Sequence, residues 1–475
     1  MVKKILLLNL PNREKITRRY MCSYISPESL LPPLELISIG AVARDWKDSE
    51  IMLLDAIAEN ASSKDIHDTI AQFGPNIIVS ITGFECFQED IDYLRDIRLE
   101  FPDPIVVLFG HYATHFPLET LKNSLADFVI LGEPELIFSD LYDALYGTME
   151  MDEVSGIARR IGDEVIIQGS GNRIPDPNAL PMPAYDLLPE GSYHEPLLAR
   201  PFGMIQTARG CPYQCNYCVK SYGTKLTALS PQRIVTEISE WKRLFSIKSI
   251  RFIDDTFTIN RQRVVEICAL MVKEQVNVEW ACLSRTDNLD ADLLARMKAA
   301  GCKRIYFGME SGSQRMLDLY HKSMDVSSAM QVLHLCRKAG IESAAFFMSG
   351  HPDETDTDFQ LTLDFAIDAR LNFASFNPLT PYPGTPLFNQ LSNRIDFSIY
   401  PYRNQWKDPS IYDDFTVRKK RFYRRFYLRP GFVLWNLKNI PEHVGEVLSM
   451  GLGLMRYLAW DGKFVISGLK GAKDV

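Results

Sequence analysis

The chain has 475 residues, of which 46% are hydrophobic and 24% are charged. This length suggests two to four folding units with a substantial core, and the composition excludes disordered, collagen-like and low-complexity classes. The 52 basic and 60 acidic side chains give a net charge of -8, so the surface as a whole does not attract nucleic acid.

The cysteines and the apolar segments indicate the compartment. Nine cysteines spread along a long chain do not form the framework of a small disulfide-rich secreted domain. The apolar run at residues 5–10 is too short for a signal-peptide core, and no apolar stretch is long enough to cross a membrane. We therefore expect a cytoplasmic protein whose thiols are free to bind metal.

The first 150 residues alternate short apolar runs with longer amphipathic segments. The runs lack polar alternation, as expected for strands buried on both faces of a sheet. The pattern predicts an α/β fold that begins with a Rossmann-like (flavodoxin-like) parallel-sheet domain over residues 1–150, with ligands beyond the carboxyl ends of the strands. The predicted strands are 5–10, 51–55, 76–81, 105–110 and 128–132, and the predicted helices include 34–46, 63–73 and 89–99.

Residues 151–200 are expected to connect two domains. Short strands on either side of Gly162 and Asp163, within residues 157–169, predict a hairpin. Seven of the 27 prolines follow, from Pro175 to Pro201, and this density forbids a regular helix or a central strand. We expect a linker that packs along a surface.

A second alternating series occupies residues 201–388. Six strand-helix units predict a (β/α)6 partial TIM barrel, in which chemistry takes place at the carboxyl ends of the strands. Residues 389–475 lack the repeat and predict a small helical C-terminal region. The predicted strands are 204–207, 249–253, 278–283, 304–309, 343–348 and 373–378, and the predicted helices include 231–245, 261–275 and 290–300.

The segment ARGCPYQCNYC places Cys211, Cys215 and Cys218 in a loop directly after the first barrel strand. Thiolates suit zinc and iron-sulfur clusters, and the tight spacing lets one loop bring three sulfurs to a single centre. A structural zinc site requires a fourth ligand, and no histidine follows Cys218 closely. Three protein ligands leave one metal position open for a group that is not protein, which favours a cluster.

This loop resembles the signature of the radical S-adenosylmethionine superfamily. The resemblance implies a 4Fe-4S cluster bound by Cys211, Cys215 and Cys218, with S-adenosylmethionine on the fourth iron. It also implies that one electron cleaves the sulfonium to a 5′-deoxyadenosyl radical, and that an external donor such as flavodoxin or ferredoxin supplies this electron.

The same resemblance implies contacts to S-adenosylmethionine at the barrel strand ends. Asp254 or Asp255 would accept the methionine ammonium while the other caps a helix, and Arg285 would bind the methionine carboxylate or form a surface salt bridge. Gly350 would let backbone approach the adenine or serve a tight turn. TPYPGTP, residues 380–386, is expected to face substrate. Tyr217 would lie near the adenine or in the core. The implied contacts to S-adenosylmethionine are Tyr217, Asp254, Asp255, Arg285, Glu310, Ser311 and Gly350.

The first domain contains the segments PPLELISIGAVAR, SITGFE, FGHYATHFP and LGEPE. With these segments it resembles the cobalamin-binding domain of cobalamin-dependent radical S-adenosylmethionine enzymes. The resemblance is to the branch of the anaerobic magnesium-protoporphyrin cyclase and the lipid methylases. The Asp-x-His-x-x-Gly motif of other cobalamin proteins is absent, because Ile70 stands where the glycine would follow Asp65 and His67. The alternative is a degenerate domain that shapes the substrate pocket. The implied cobalamin contacts are Thr82, Gly83, Phe84, Gly110, His111, Tyr112 and Glu133.

Two of these motifs have a simpler interpretation. His111 and His115 are either metal ligands or ordinary polar loop residues. LGEPE is either a ligand contact or only a strand end before a helix that begins at Pro134.

The tail is strongly basic: residues 418–429 contain seven basic and four aromatic side chains and no acid. This pattern favours contact with an anionic membrane surface, an acidic substrate or nucleic acid, or else a solvated helix face that packs its aromatic residues inward. The apolar and amphipathic segments after it are long enough to lie on a membrane but not to cross it.

These features predict an enzyme that methylates an unactivated carbon of a small molecule, such as a lipid or a tetrapyrrole, by way of methylcobalamin. One alternative is radical oxidation, ring formation or rearrangement, with cobalamin absent or not donating methyl. Another is a cluster-bearing sensor without turnover. The other six cysteines form no second cluster motif, which counts against methylthiotransferases.

Overall fold

The computed structural model describes residues 2–12, 16–18, 23–25, 29–162, 164–171, 173–196, 198–220, 222–398 and 405–432. Within these ranges the chain forms two α/β units joined by the proline-rich segment. The predicted fold class is confirmed.

The N-terminal unit is built on a seven-stranded sheet. The strands of this unit, in chain order, are β1 (Lys4–Asn9), β2 (Ile16–Arg18), β3 (Ser23–Ile25), β4 (Glu50–Asp55), β5 (Ile77–Thr82), β6 (Ile105–Gly110), β7 (Phe128–Ile130), β8 (Ile157–Ile161) and β9 (Glu164–Gln168). Strands β2 and β3 form a ribbon outside the sheet. The sheet order is β4-β1-β5-β6-β7-β8-β9, and the first five strands in this order are parallel. The ribbon is antiparallel β2 and β3.

Helices cover both faces of this sheet. They are α1 (Leu34–Lys47), α2 (Ser63–Phe73), α3 (Phe87–Glu100), α4 (His111–His115), α5 (Pro117–Ser124) and α6 (Pro134–Tyr146). Successive strand side chains point to opposite faces, so Leu6 and Leu8 pack in one core and Ile5 and Leu7 in the other. This double burial explains why the strands read as uninterrupted apolar runs.

The predicted hairpin belongs to this sheet and not to the linker. β8 and β9 are its joined strands, and β8 pairs antiparallel with β7. The first unit therefore extends through β9, and the predicted boundary at residue 150 falls inside the sheet.

The second unit is a partial barrel. Its strands and the ribbon beside them are β10 (Phe202–Ile205), β11 (Ala208–Arg209), β12 (Thr227–Ala228), β13 (Ser249–Phe252), β14 (Glu279–Ser284), β15 (Cys302–Glu310), β16 (Glu342–Ser349) and β17 (Phe373–Pro378). Six of them are parallel in the order β10-β13-β14-β15-β16-β17, and β11 pairs antiparallel with β12. The predicted six-unit barrel is confirmed.

Helices surround the barrel and one more helix follows it. They are α7 (Pro231–Phe245), α8 (Arg261–Lys273), α9 (Ala291–Ala299), α10 (Gln314–Leu319), α11 (Val326–Lys338), α12 (Asp356–Asp368), α13 (Pro386–Leu391) and α14 (Pro409–Tyr427). The basic segment forms the C-terminal half of α14, and Phe415, Phe422 and Phe426 of this helix are buried against the barrel. The apolar segments predicted beyond it, in residues 433–475, lie outside the described residues. None of the described helices is long and apolar enough to cross a membrane.

Candidate active site at the cysteine loop

Cys211, Cys215 and Cys218 lie on the loop between β11 and β12, beyond the carboxyl end of β10. The base of this loop closes tightly: Gly210 has a φ of +91°, and a Cβ there would overlap the carbonyl oxygen of Lys225. Only glycine allows this approach. All three cysteines are free thiols, and Cys218 is exposed.

The three thiols of this loop are the candidate cluster ligands. Among the described residues, no three His, Cys, Asp or Glu side chains surround a point where one metal ion could bind. Cluster thiolates bind different iron atoms, so they need not converge on one point. Cys215 and Cys218 line the same cavity, so two of the three thiols face one space.

Arg285 follows β14 and is buried against the cysteine loop. Its Nε donates to Asp287 Oδ1 at 2.9 Å, and its Nη2 donates to Asp287 Oδ2 and to the Lys322 carbonyl oxygen, both at 2.8 Å. The guanidinium also lies 3.8 Å from the centre of the Tyr213 ring, and Nη1 lies 4.0 Å from Cys215 Sγ. Most of its donors are occupied, so Arg285 holds the loop. It is not a surface salt bridge, and its Nη1 group, whose contact is the Cys215 sulfur at 4.0 Å, is the part that the predicted methionine carboxylate would contact.

The two adjacent aspartates have different surroundings. Asp254 is fully buried, and its carboxylate accepts hydrogen bonds from Thr207 N at 2.6 Å, Thr207 Oγ1 at 2.5 Å and Ala208 N at 2.9 Å. Helix α8 is capped by Asn260, so the predicted capping role for an aspartate is wrong. Asp254 instead joins the ends of β13 and β10, which leaves Asp255 as the candidate for the methionine ammonium.

A buried polar triad lies at the end of β15. Glu310 Oε1 accepts hydrogen bonds from Tyr217 OH and from Lys322 Nζ, each at 3.0 Å, and Lys322 Nζ donates to Tyr217 OH at 3.0 Å. Burial and the Glu310 carboxylate raise the pKa of Tyr217 well above its ordinary value. Glu310 has a φ of +63°, an uncommon conformation that concentrates at functional sites. Sequence reasoning missed Lys322, which belongs to no motif.

Two other predicted contacts serve the local structure. Ser311 Oγ is 2.9 Å from Thr362 Oγ1 and accepts from Ser313 N at 3.1 Å, so its hydroxyl is occupied inside the protein. Gly350 has a φ of +103°, and its N–H donates to Glu354 Oε2 at 2.7 Å. The tight-turn interpretation of Gly350 therefore holds, and only its carbonyl side remains available to a ligand.

Loops of the N-terminal unit face the cysteine loop across a cavity of about 400 Å³. His111 Nε2 and Thr82 Oγ1 are buried at the carboxyl ends of β6 and β5, with no hydrogen-bond partner among the described residues. Burial, with a smaller effect of His115, lowers the pKa of His111 to about 3, so its ring is neutral. Unpaired buried polar atoms at this sheet edge fit a bound group that would bond to them. The cavity is lined by His111, Thr114, His115, Gln214, Cys215, Cys218, Val219, Lys220, Gly384 and Pro386.

The other predicted cobalamin contacts pack within the protein. Tyr112 stacks on Phe87 with ring centres 3.7 Å apart, and Phe84 packs 4.7 Å from the His111 ring. A Cβ at Gly110 would overlap the carbonyl oxygen of Thr82, so the close approach of β5 already requires this glycine. The carbonyl oxygen of Gly83 accepts from Cys86 N. The Glu133 carboxylate is 2% exposed and pairs with Arg173 and Arg209, so it is not available to a corrin.

The TPYPGTP segment contacts the N-terminal unit, which the sequence did not indicate. Tyr382 OH donates to Glu85 Oε1. Gly384 has a φ of +84°, and a Cβ there would overlap the His115 ring. The segment therefore forms part of the wall between the two units.

Comparisons with known proteins agree on one family. The family described as the radical SAM superfamily matches residues 205–366. An uncharacterized methyltransferase of Pyrococcus horikoshii is 30% identical over 467 residues, which cover 96% of this chain and 98% of the relative. The anaerobic magnesium-protoporphyrin IX monomethyl ester cyclase of Cereibacter sphaeroides is 25% identical, covering 84% of this chain and 67% of the cyclase.

A solved structure shares the fold. TsrM, a radical S-adenosylmethionine methyltransferase from Kitasatospora setae with cobalamin and a 4Fe-4S cluster bound, is 18% identical with a TM-score of 0.67. The match covers 83% of this chain and 78% of the TsrM chain.

Proposed function

We propose a function from one established premise: the chain belongs to the radical S-adenosylmethionine superfamily. It is a cobalamin-dependent enzyme that methylates an unactivated carbon of a small molecule. The observation that carries this proposal is the cavity on which the cysteine loop and the N-terminal loops both border. A methyl carrier bound by those loops would meet a substrate radical beside the cluster.

The residues divide into two sets of ligands. Cys211, Cys215 and Cys218 would hold the cluster, and the loops after β5 and β6 would hold the corrinoid through Thr82 Oγ1 and His111 Nε2. When bound, the cluster supplies the electron that breaks the sulfonium and the corrinoid carries the methyl group. The residues that would orient S-adenosylmethionine are Asp255, Tyr217, Glu310, Lys322 and the backbone at Gly350.

The electron for each cleavage comes from outside the chain. A flavodoxin-like or ferredoxin-like donor would reduce the cluster. The cyclase relative supports a tetrapyrrole as one substrate class. A lipid is the other class that we propose. The exposed Arg424 and Arg425 of α14 would be available to an anionic membrane surface.

Turnover of S-adenosylmethionine tests the enzyme itself. Anaerobically reconstituted protein with dithionite should form 5′-deoxyadenosine, and Cys215→Ala should abolish it because the cluster loses a ligand. Cys268→Ala is the matched control, since this buried cysteine lies in α8, away from the loop. Equal activity in Cys215→Ala and the wild type would refute the cluster assignment. A wild type that binds iron but forms no 5′-deoxyadenosine would favour the sensor.

Corrinoid retention tests the first domain. Protein loaded with hydroxocobalamin should keep about one corrin per chain after desalting, and Thr82→Val with His111→Phe should lower this because both bonding atoms are removed. Retention by the wild type no better than by this double variant would refute the site. Methyl transfer also predicts S-adenosylhomocysteine as a co-product.

Radical ring formation is the second candidate, favoured by the cyclase relative. It predicts 5′-deoxyadenosine and retained corrin without S-adenosylhomocysteine. That combination would replace methyl transfer as the reaction.

A further inference from the structure

A group of buried charges joins the N-terminal unit to the cysteine loop. Arg209 ends β11, two residues before Cys211, and Glu133 and Glu135 lie at the start of α6. Arg209 Nη1 is 2.9 Å from Glu133 Oε2, and Arg209 Nη2 is 2.6 Å from Glu135 Oε1. The exposed fractions of the three side chains are 11%, 2% and 0% in the same order.

Further contacts surround the two ion pairs of Arg209. Arg173 Nε donates to Glu133 Oε1 at 3.0 Å, and its Nη1 donates to the carbonyl oxygen of Lys225 at the other side of the loop base. Tyr222 lies with its ring centre 5.2 Å from the Arg209 guanidinium and donates to Glu35 Oε1 of α1 at 3.3 Å. Both ends of the cysteine loop are therefore fastened to the N-terminal unit.

Stability alone does not explain such a group. Replacing a buried ion pair with apolar residues of similar size is often neutral or stabilising, because charges are costly to remove from water. Arg209 instead fixes an orientation, because a planar guanidinium bound by two carboxylates can take one orientation only. The loop base is thereby held at a fixed place relative to α6.

We propose that Glu133, Glu135 and Arg209 form an interdomain clamp that sets the distance between the cysteine loop and the N-terminal loops across the cavity. None of the three touches a cysteine, so they are positioning residues that act through the loop base. This proposal rests on the proposed function, because the distance matters only when a cluster and a corrinoid lie on its two sides.

The dipolar splitting in the EPR spectrum of the two groups measures this distance. A reduced 4Fe-4S cluster and cob(II)alamin are both paramagnetic, and wild-type protein holding both should give one narrow distance distribution. Glu135→Gln removes one charge of the clamp with little change in shape, and should broaden or shift the distribution. Iron and corrin contents should stay at the wild-type level, because no ligand is altered.

A second variant covers the case in which Glu135→Gln does not fold. Glu135→Leu with Arg209→Met removes both charges together, which leaves no charge unpaired, while Glu133 keeps Arg173. Asp186→Asn is the control, because it breaks an exposed ion pair from α1 to the proline-rich segment, Arg44 Nη1 to Asp186 Oδ2 at 2.8 Å. It should leave the distribution unchanged.

The outcomes separate the clamp from the proposed function. Wild-type protein that holds no cluster or no corrin contradicts the proposed function. Wild-type protein with both groups, and clamp variants with the wild-type distribution, overturn the clamp. Loss of iron from the double variant in proportion to its loss of folded protein also overturns it, since the three residues would then serve folding only.

Discussion

Lys322 is the side chain that completes the polar triad with Glu310 and Tyr217. The Lys322 side chain is 7% exposed and the Glu310 side chain 10% exposed, so each provides the countercharge that the other requires. The Lys322 carbonyl oxygen also accepts from Arg285 Nη2 at 2.8 Å. Lys322 thus connects the residue that holds the cysteine loop with the residues expected to orient S-adenosylmethionine.

Lys322→Met should weaken binding of S-adenosylmethionine while the cluster is retained. The substitution keeps the length of the side chain but leaves the Glu310 carboxylate buried without a cation, which typically costs about 3 kcal/mol or more. We expect a dissociation constant raised about 10- to 100-fold, measured by equilibrium dialysis of the reconstituted protein. Lys338→Met changes an exposed lysine at the end of α11 and should bind like the wild type. Wild-type affinity in Lys322→Met would exclude Lys322 from the site.

The cluster ligands could be predicted because they lie close together in the sequence. The roles of other site residues could not, because the residues that bind them lie far away along the chain. The three cysteines lie within eight residues, so their pattern is visible in the sequence. Asp254 is bound by Thr207, 47 positions away, and Glu133 by Arg209, 76 positions away. A carboxylate at a strand end suggests a ligand contact until its partner is known, because burial decides whether it faces a ligand or the protein.

Helix α14 covers the β17 edge of the barrel. Ala374 N donates a hydrogen bond to Tyr427 OH, and Phe376 N donates one to Tyr423 OH, both at 3.2 Å. Two N–H groups of β17 are therefore hydrogen-bonded to the helix. An uncovered edge strand would expose these groups to pairing with another chain. The aromatic residues of the basic segment therefore point inward, as the alternative of a solvated helix face predicted. The sequence did not show that this helix ends the sheet.

One cation of this helix acts on the loop after β16. Arg418 Nη1 is 3.1 Å from Glu354 Oε2, the atom that accepts from Ser349 Oγ and Gly350 N, both at 2.7 Å. Burial raises the pKa of Glu354, an effect that the Arg418 charge opposes. Arg418 therefore helps to keep the carboxylate ionised and the turn closed.

Arg418→Gln should loosen the turn at Gly350 and weaken binding of S-adenosylmethionine about 3- to 10-fold, since a hydrogen bond to a charged group is worth about 1.5 kcal/mol or more. The same dialysis measurement checks it, with thermal melting to show that α14 remains docked. Arg424→Gln alters an exposed position on the same helix and should change neither quantity. If both variants bind equally well, Arg418 has no influence on the ligand site.

The two units of the molecule meet at the carboxyl ends of their sheets. The order of strands and helices within each unit was predictable, because buried strands and amphipathic helices leave local patterns. The contact between the units was not, since Tyr382 and Glu85 are 297 positions apart. No local sequence pattern predicts a contact between residues so far apart. The glycine in TPYPGTP nevertheless marks one place where two segments of the chain approach closely.

Gly384→Ala tests whether that approach sets the shape of the cavity. Gly384 has a φ of +84°, and an added Cβ would overlap the His115 ring, which lines the cavity. Gly74→Ala is the matched control, because Gly74 has a φ of +63° but nothing within 4 Å of an added Cβ. Backbone strain should lower the free energy of unfolding in urea by about 1 kcal/mol in both variants.

Only Gly384→Ala should also displace His115, at a further cost of about 1–3 kcal/mol for the added overlap. Corrin retained after desalting should therefore fall in Gly384→Ala and stay at the wild-type level in Gly74→Ala. Equal retention and equal stability in the two variants would mean that His115 moves aside freely. The wall between the units would then not depend on this glycine, and the shape of the cavity would rest on other contacts between the units, such as those of Tyr382 with Glu85 and of Arg209 with Glu133.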